Sequence, residues 1–136
     1  GMTALAKSQT VATILPGCGF FLGKAPWPRA RALRDAGCEV AIATDCNPGT
    51  SMLLDLPLCA TLAATQCGLS LEEALWGITQ GGAKALALSD RGHFEAPCRA
   101  DFVVLDSSDW RDLFYCPANP PIWAVAALGQ ISHVHH

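Results

Sequence analysis

The sequence predicts an α/β fold, parallel strands joined by helices and followed by a small β-rich piece. Three observations predict it. Val11 to Leu15 and Val40 to Ala43 are short β-type runs separated by a helical stretch and short connections, which is a βαβ unit. The second run leads into an acid, Asp45, and a polar turn containing Pro48 and Gly49. A strand whose last side chains and following loop face the reaction is how the mouth of a β/α barrel is written. Beyond Ser89 the helical pattern gives way to the short runs Phe102 to Leu105 and Ile122 to Leu128, with three prolines between Tyr115 and Pro121.

In chain order, Met2 to Lys7 reads as the tail of a helix leading into the Val11 strand, which Pro16-Gly17 stops. Cys18 to Trp27, rich in Gly and Phe, has the look of a binding loop. Pro28 suits a helix start, Arg29 to Ala36 carries the helical pattern and Gly37 closes it. A second, apolar helix is predicted over Met52 to Gln66, with Pro57 tolerable near its start and Gly68 at its end. Ser70 with Glu73 forms a capping box for a helix over Leu71 to Leu88, where Gly77, Gly81 and Gly82 predict a break near Gly81. Residues 1–88 thus read as the α/β part and 89–136 as the small β portion and C-terminal tail.

The 136 residues suffice for one modest core but are about half of the roughly 250 of a closed (β/α)8 barrel. A parallel sheet of two strands has open edges, so the chain is expected to need missing strands, a partner chain or a second copy of itself. At 51% apolar and 15% charged, the sequence is not that of a disordered chain. A net charge of -3 gives no basic footprint, so no nucleic-acid partner is expected. No apolar run reaches the roughly 18 residues of a bilayer span, so no membrane partner is expected either. Gly1-Met2-Thr3 lacks the features of a signal peptide, and Gly1 reads as a tag-cleavage remnant.

The seven cysteines are scattered, with no C-x-x-C pair, and read as free thiols in a reducing cytoplasm, used as small apolar side chains. His93 reads as a solvated turn residue. His133, His135 and His136 read as a frayed polar tail, although His133 and His135 would share a face on a strand. Trp27, Trp76, Trp110 and Trp123 read as core or interface anchors, and Glu72 and Glu73 as first-turn acids favoured by the helix dipole.

Val40-Ala-Ile-Ala-Thr-Asp45-Cys-Asn47-Pro-Gly49-Thr50-Ser51 resembles the imidazolonepropionases of histidine degradation, within the amidohydrolase superfamily. The flanks agree. Val11-Ala-Thr-Ile-Leu-Pro-Gly17 resembles the preceding barrel strand and its turn. Gly68-Leu-Ser-Leu-Glu72-Glu73-Ala-Leu75 resembles the helix start after the last strand, and Arg99-Ala-Asp101-Phe-Val-Val-Leu-Asp106 the strand returning to the small β-domain. Arg91-Gly-His-Phe-Glu-Ala-Pro97-Cys98 departs from the family's turn, with Pro97 and Cys98 where Gly and Lys are expected. The likeness spans residues 5–128 but only the C-terminal third or so of the family's chain.

The resemblance implies a partial (β/α)8 amidohydrolase barrel, its last two strands and their helices, plus part of the small β-domain. It implies a parent reaction, metal-dependent hydrolysis of the cyclic C–N bond of 4-imidazolone-5-propanoate to N-formimino-glutamate, with zinc or iron as the parent's metal. Asp45 would be the catalytic acid, and a metal ligand only if the other ligands come from elsewhere. Asn47, Gly49 and Thr50 would contact the small-molecule substrate. The family's His-x-His strand has no counterpart in this sequence; counting from Gly129 puts Val134, not a histidine, at the first ligand position. The chain alone is therefore expected to be inactive. The alternatives are a non-catalytic, self-associating α/β module (a homo-oligomer) and one half of a split amidohydrolase whose complementary barrel half is another chain.

Overall fold

A computed structural model describes residues 1–23 and 26–134, with His133 described through its backbone alone. The first part runs α1 (Met2–Ala6), β1 (Ala12–Ile14), α2 (Pro16–Leu22), α3 (Ala30–Asp35), β2 (Val40–Ile42), α4 (Leu56–Cys67), α5 (Leu71–Ile78) and α6 (Gln80–Ala85). The second part runs β3 (Phe102–Leu105), α7 (Asp112–Tyr115), β4 (Ile122–Ala127) and β5 (Gln130–Val134).

β1 and β2 pair in parallel, with Ala12 opposite Val40 and Ile14 opposite Ile42. Every residue of β2 is buried, as befits a parallel strand covered on both faces. α4, α5 and α6 pack against β2, and α5 and α6 do so on glycines. A Cβ at Gly77 would stand 3.0 Å from Ile42 Cδ1, and one at Gly81 would stand 3.0 Å from the Val40 carbonyl oxygen and 2.6 Å from Trp76. At these glycines, which weaken a helix by propensity, the helices lie so close to β2 that an added Cβ would crowd it. β3, β4 and β5 form a separate antiparallel sheet in that order.

Several elements differ from the sequence expectation. The binding loop placed at Cys18 to Trp27 begins as helix, Cys18 to Leu22 belonging to α2, while residues 24–25 of it lie outside the described residues; Pro16 is the first residue of α2, because proline opens a helix as readily as it stops a strand. The helix expected from Met52 starts at Leu56, where the Asp55 carboxylate accepts from the Leu58 N–H at 2.8 Å and sets the N-cap. The break expected near Gly81 falls at Thr79, whose φ of -117° and ψ of -96° separate α5 from α6. The tail expected to fray runs as β5 through Val134, because β4 offers it an edge; His135 and His136 lie outside the described residues.

α7 is an element that the sequence pattern does not predict, and it packs back on α4: Phe114 belongs to the same buried cluster as Ile14, Val40, Cys59 and Ala63. The Thr61 hydroxyl bonds the Phe114 carbonyl at 3.2 Å. The capping box stands as read, with the Glu73 N–H donating to Ser70 Oγ and the Ser70 N–H to Glu73 Oε2.

Candidate functional site: the turn after β2

The ladder between the parallel strands ends where the Ala43 N–H donates to the Ile14 carbonyl at 3.1 Å. Two residues on, Asp45 is exposed and takes a φ of +51°, the left-handed region that costs a non-glycine residue about 1 kcal/mol and that Asp tolerates better than most. The chain then closes a tight turn. Asn47 and Ser51 pair backbone to backbone, N–H to carbonyl at 2.7 Å one way and 3.3 Å the other. The Asn47 Oδ1 accepts the N–H groups of Gly49 and Thr50, both at 2.8 Å. Its Nδ2 donates to the Asp45 carbonyl at 2.6 Å and to Thr50 Oγ1 at 3.0 Å, with Asp45 Oδ2 at 3.3 Å.

Beneath the turn, Ser51 is fully buried and its hydroxyl donates to the Thr44 carbonyl at 2.8 Å. Gly17, at the start of α2, closes over it: a Cβ there would stand 3.3 Å from Ser51 Oγ and 3.1 Å from both Cys59 Sγ and Leu53 Cδ1. The end of β1 and the loop after β2 are thus one packed unit. Burial pushes the Cys59 thiol up, Asp55 adds to the effect, and a hydrogen bond from Gly17 opposes it.

Asp45, Asn47, Gly49 and Thr50 therefore come together in one turn at the end of a buried parallel strand, as the motif predicts. The part of Ser51 in anchoring that turn was missed, although a serine ending an Asn-Pro-Gly-Thr run is a signal for turn closure.

Among the described residues, no three His, Cys, Asp or Glu side chains gather as a metal could require. Asp45 alone does not hold a catalytic metal, so this donor set does not fit zinc or iron without ligands from outside it. His93 is half-buried, with both ring nitrogens 3.4–3.5 Å from Cys98 Sγ, rather than solvated as expected. Two concavities, of about 310 and 560 Å³, lie by Glu39 and Lys84, before the start of β2, and neither is lined by Asp45. No helix is long and apolar enough to cross a membrane among the described residues.

Residues 26–134 match the model of the amidohydrolase family, and the chain belongs to that family. In sequence it is similar to imidazolonepropionases. It is 46% identical to that of Streptomyces griseus over 127 residues, which is 93% of this chain and 32% of the relative. It is 42% identical to that of Rhodococcus jostii over 136 residues, 98% of this chain and 33% of the relative. The chain thus spans about a third of the length of the curated relatives it matches. Among solved structures, a Xanthomonas campestris adenosine deaminase with bound zinc aligns with a TM-score of 0.83 at 24% identity, over 98% of this chain and 34% of that one. The E. coli guanine deaminase aligns with a TM-score of 0.74 at 23% identity, over 99% and 36%. These two likenesses show the fold.

Proposed function

We propose that this chain is the C-terminal third of an imidazolonepropionase. Residues 1–88 would carry the last two strands of its barrel with their helices, and 89–136 a portion of its small β-domain. The observation that carries the reading is the Asp45–Ser51 turn, which presents an exposed carboxylate at the end of a buried parallel strand. The parent reaction is hydrolysis of the cyclic C–N bond of 4-imidazolone-5-propanoate to N-formimino-glutamate. In it the Asp45 carboxylate takes a proton from the attacking water and returns it. Asn47, Gly49 and Thr50 form the turn the substrate meets. The parent's zinc or iron would be held chiefly by side chains outside this chain, so the chain alone is inactive. Seven free cysteines fit a cytoplasmic setting.

A second reading is favoured by one observation: among the described residues, neither β1 nor β2 is paired on its outer edge. The edges invite either a complementary barrel half or another copy of the chain. Co-expression with the first two thirds of the Streptomyces griseus relative decides between them. The proposal expects a complex that hydrolyses 4-imidazolone-5-propanoate, with neither piece active alone. A stable, well-folded complex without activity would overturn the functional reading. A chain that ignores the complement and sediments as a symmetric oligomer would favour the self-associating module.

A further inference from the structure

We infer that Asn47 is a positioning residue: its carboxamide holds Asp45 in the left-handed conformation that presents the acid beyond the end of β2. This deepens the proposed function and rests on it for the chemistry of Asp45, but the geometry stands apart from that chemistry.

The orientation of the amide is fixed by its partners. Two backbone donors, the N–H groups of Gly49 and Thr50, converge on one end at 2.8 Å each, which makes that end the carbonyl Oδ1. The other end is then Nδ2, and it faces Asp45: 2.6 Å to the carbonyl oxygen, 3.3 Å to the carboxylate Oδ2. Its second hydrogen is taken by Thr50 Oγ1 at 3.0 Å. Two N–H donors and two lone pairs are the whole capacity of an asparagine side chain, and all four are used inside the turn. A ligand would reach the Asn47 amide only by displacing one of these bonds.

The two ends of the amide do different work. Oδ1 builds the turn, taking up backbone donors that would otherwise face solvent. Nδ2 acts one step back along the chain, on the residue with the unfavourable φ. Asp45 has no glycine-like freedom at +51°, and hydrogen bonds to its own carbonyl and carboxylate are what favour that conformation over an extended one. Asn47 is itself anchored by the two-way backbone pairing with Ser51, so the clamp does not move with the loop tip.

The test separates the two ends in the isolated chain by NMR. Asn47→Asp keeps acceptors for Gly49 and Thr50 but has no Nδ2. Asn47→Ser keeps one acceptor, adds no charge and also lacks Nδ2. A left-handed residue gives a strong intraresidue cross-peak between its amide and Cα hydrogens, and exchange protection of the Gly49 and Thr50 amides reports the turn.

The expected result in both variants is loss of the Asp45 cross-peak with protection at Gly49 and Thr50 retained. A cross-peak that persists in either variant overturns the proposal; persistence in Asn47→Ser alone would assign the effect in Asn47→Asp to charge repulsion. Loss of the cross-peak and of the protection together also overturns it, since Asn47 would then only build the turn. None of these readouts depends on activity, so failure here is distinct from failure of the functional reading.

Discussion

The Ser51 hydroxyl, fully buried, reaches back 2.8 Å to the carbonyl of Thr44, tying the end of the turn to the end of the strand that launches it. The bond satisfies a carbonyl left without a strand partner where the ladder ends. Ser51→Ala is expected to lower the stability of the chain by about 1 kcal/mol, the scale of a buried hydrogen bond to backbone. Urea unfolding of the two proteins measures it; an unchanged midpoint would show that water replaces the hydroxyl without loss.

Gly81 is a second pressure point, with the opposite sign to its propensity. By propensity alone, replacing a helical glycine by alanine gains up to about 1 kcal/mol, less near a helix start such as this one. Here the added methyl would lie 2.6 Å from the Trp76 ring and 3.0 Å from the Val40 carbonyl. Overpacking of this kind costs about 1–3 kcal/mol, so Gly81→Ala is expected to destabilise. A raised melting temperature in the variant would contradict the close approach of α6 to β2.

Glu73 should give the chain an acid-sensitive component. It accepts from the Ser70 N–H at 2.9 Å and pairs with Arg31 at 2.8 Å and Arg34 at 3.4 Å. Burial pushes its carboxyl up, but those partners outweigh burial and hold it below the ordinary range. A carboxyl depressed in the folded state contributes stability above its unfolded value, about 4.3, and loses it as pH falls through the folded value. Glu73→Gln, which keeps the helix cap, is therefore expected to flatten the loss of stability below about pH 4.3. Parallel urea-midpoint profiles for the two proteins would rule this out.

The thiols should divide by burial. Cys46 and Cys116 are exposed, while Cys38, Cys59 and Cys67 are buried; burial pushes Cys67 to about 11. Alkylation followed by mass spectrometry at neutral pH is expected to label Cys46 and Cys116 first and to leave the buried three unlabelled until denaturant is added. Early labelling of Cys59 would mean that the packing of Gly17 on α4 opens readily. The sequence view of all seven as small apolar side chains holds for the buried three.

What was legible in the sequence was local. The two parallel strands, the Ser70–Glu73 box and the Asp45–Thr50 cluster each carry their signal within a few residues. What was not legible depends on distant partners. β5 exists because β4 offers it an edge, and α7 because Phe114 finds room beside α4. Pro16 carries the same letters whether it stops a strand or opens a helix. Met52, Leu53 and Leu54 look helical, yet the Asp55 cap delays α4. The place of Asp45 just beyond β2 was readable; its left-handed backbone was not, since the amide that favours it reaches back across the turn.

We propose that Asp45 is one contribution to an active centre whose other groups lie outside this chain. Metal content by mass spectrometry on the purified chain, beside its Asp45→Asn variant, tests this most directly. Far less than one zinc or iron per chain is expected in both proteins. Near-stoichiometric zinc or iron that disappears in Asp45→Asn would contradict it and make the chain a metal centre in its own right.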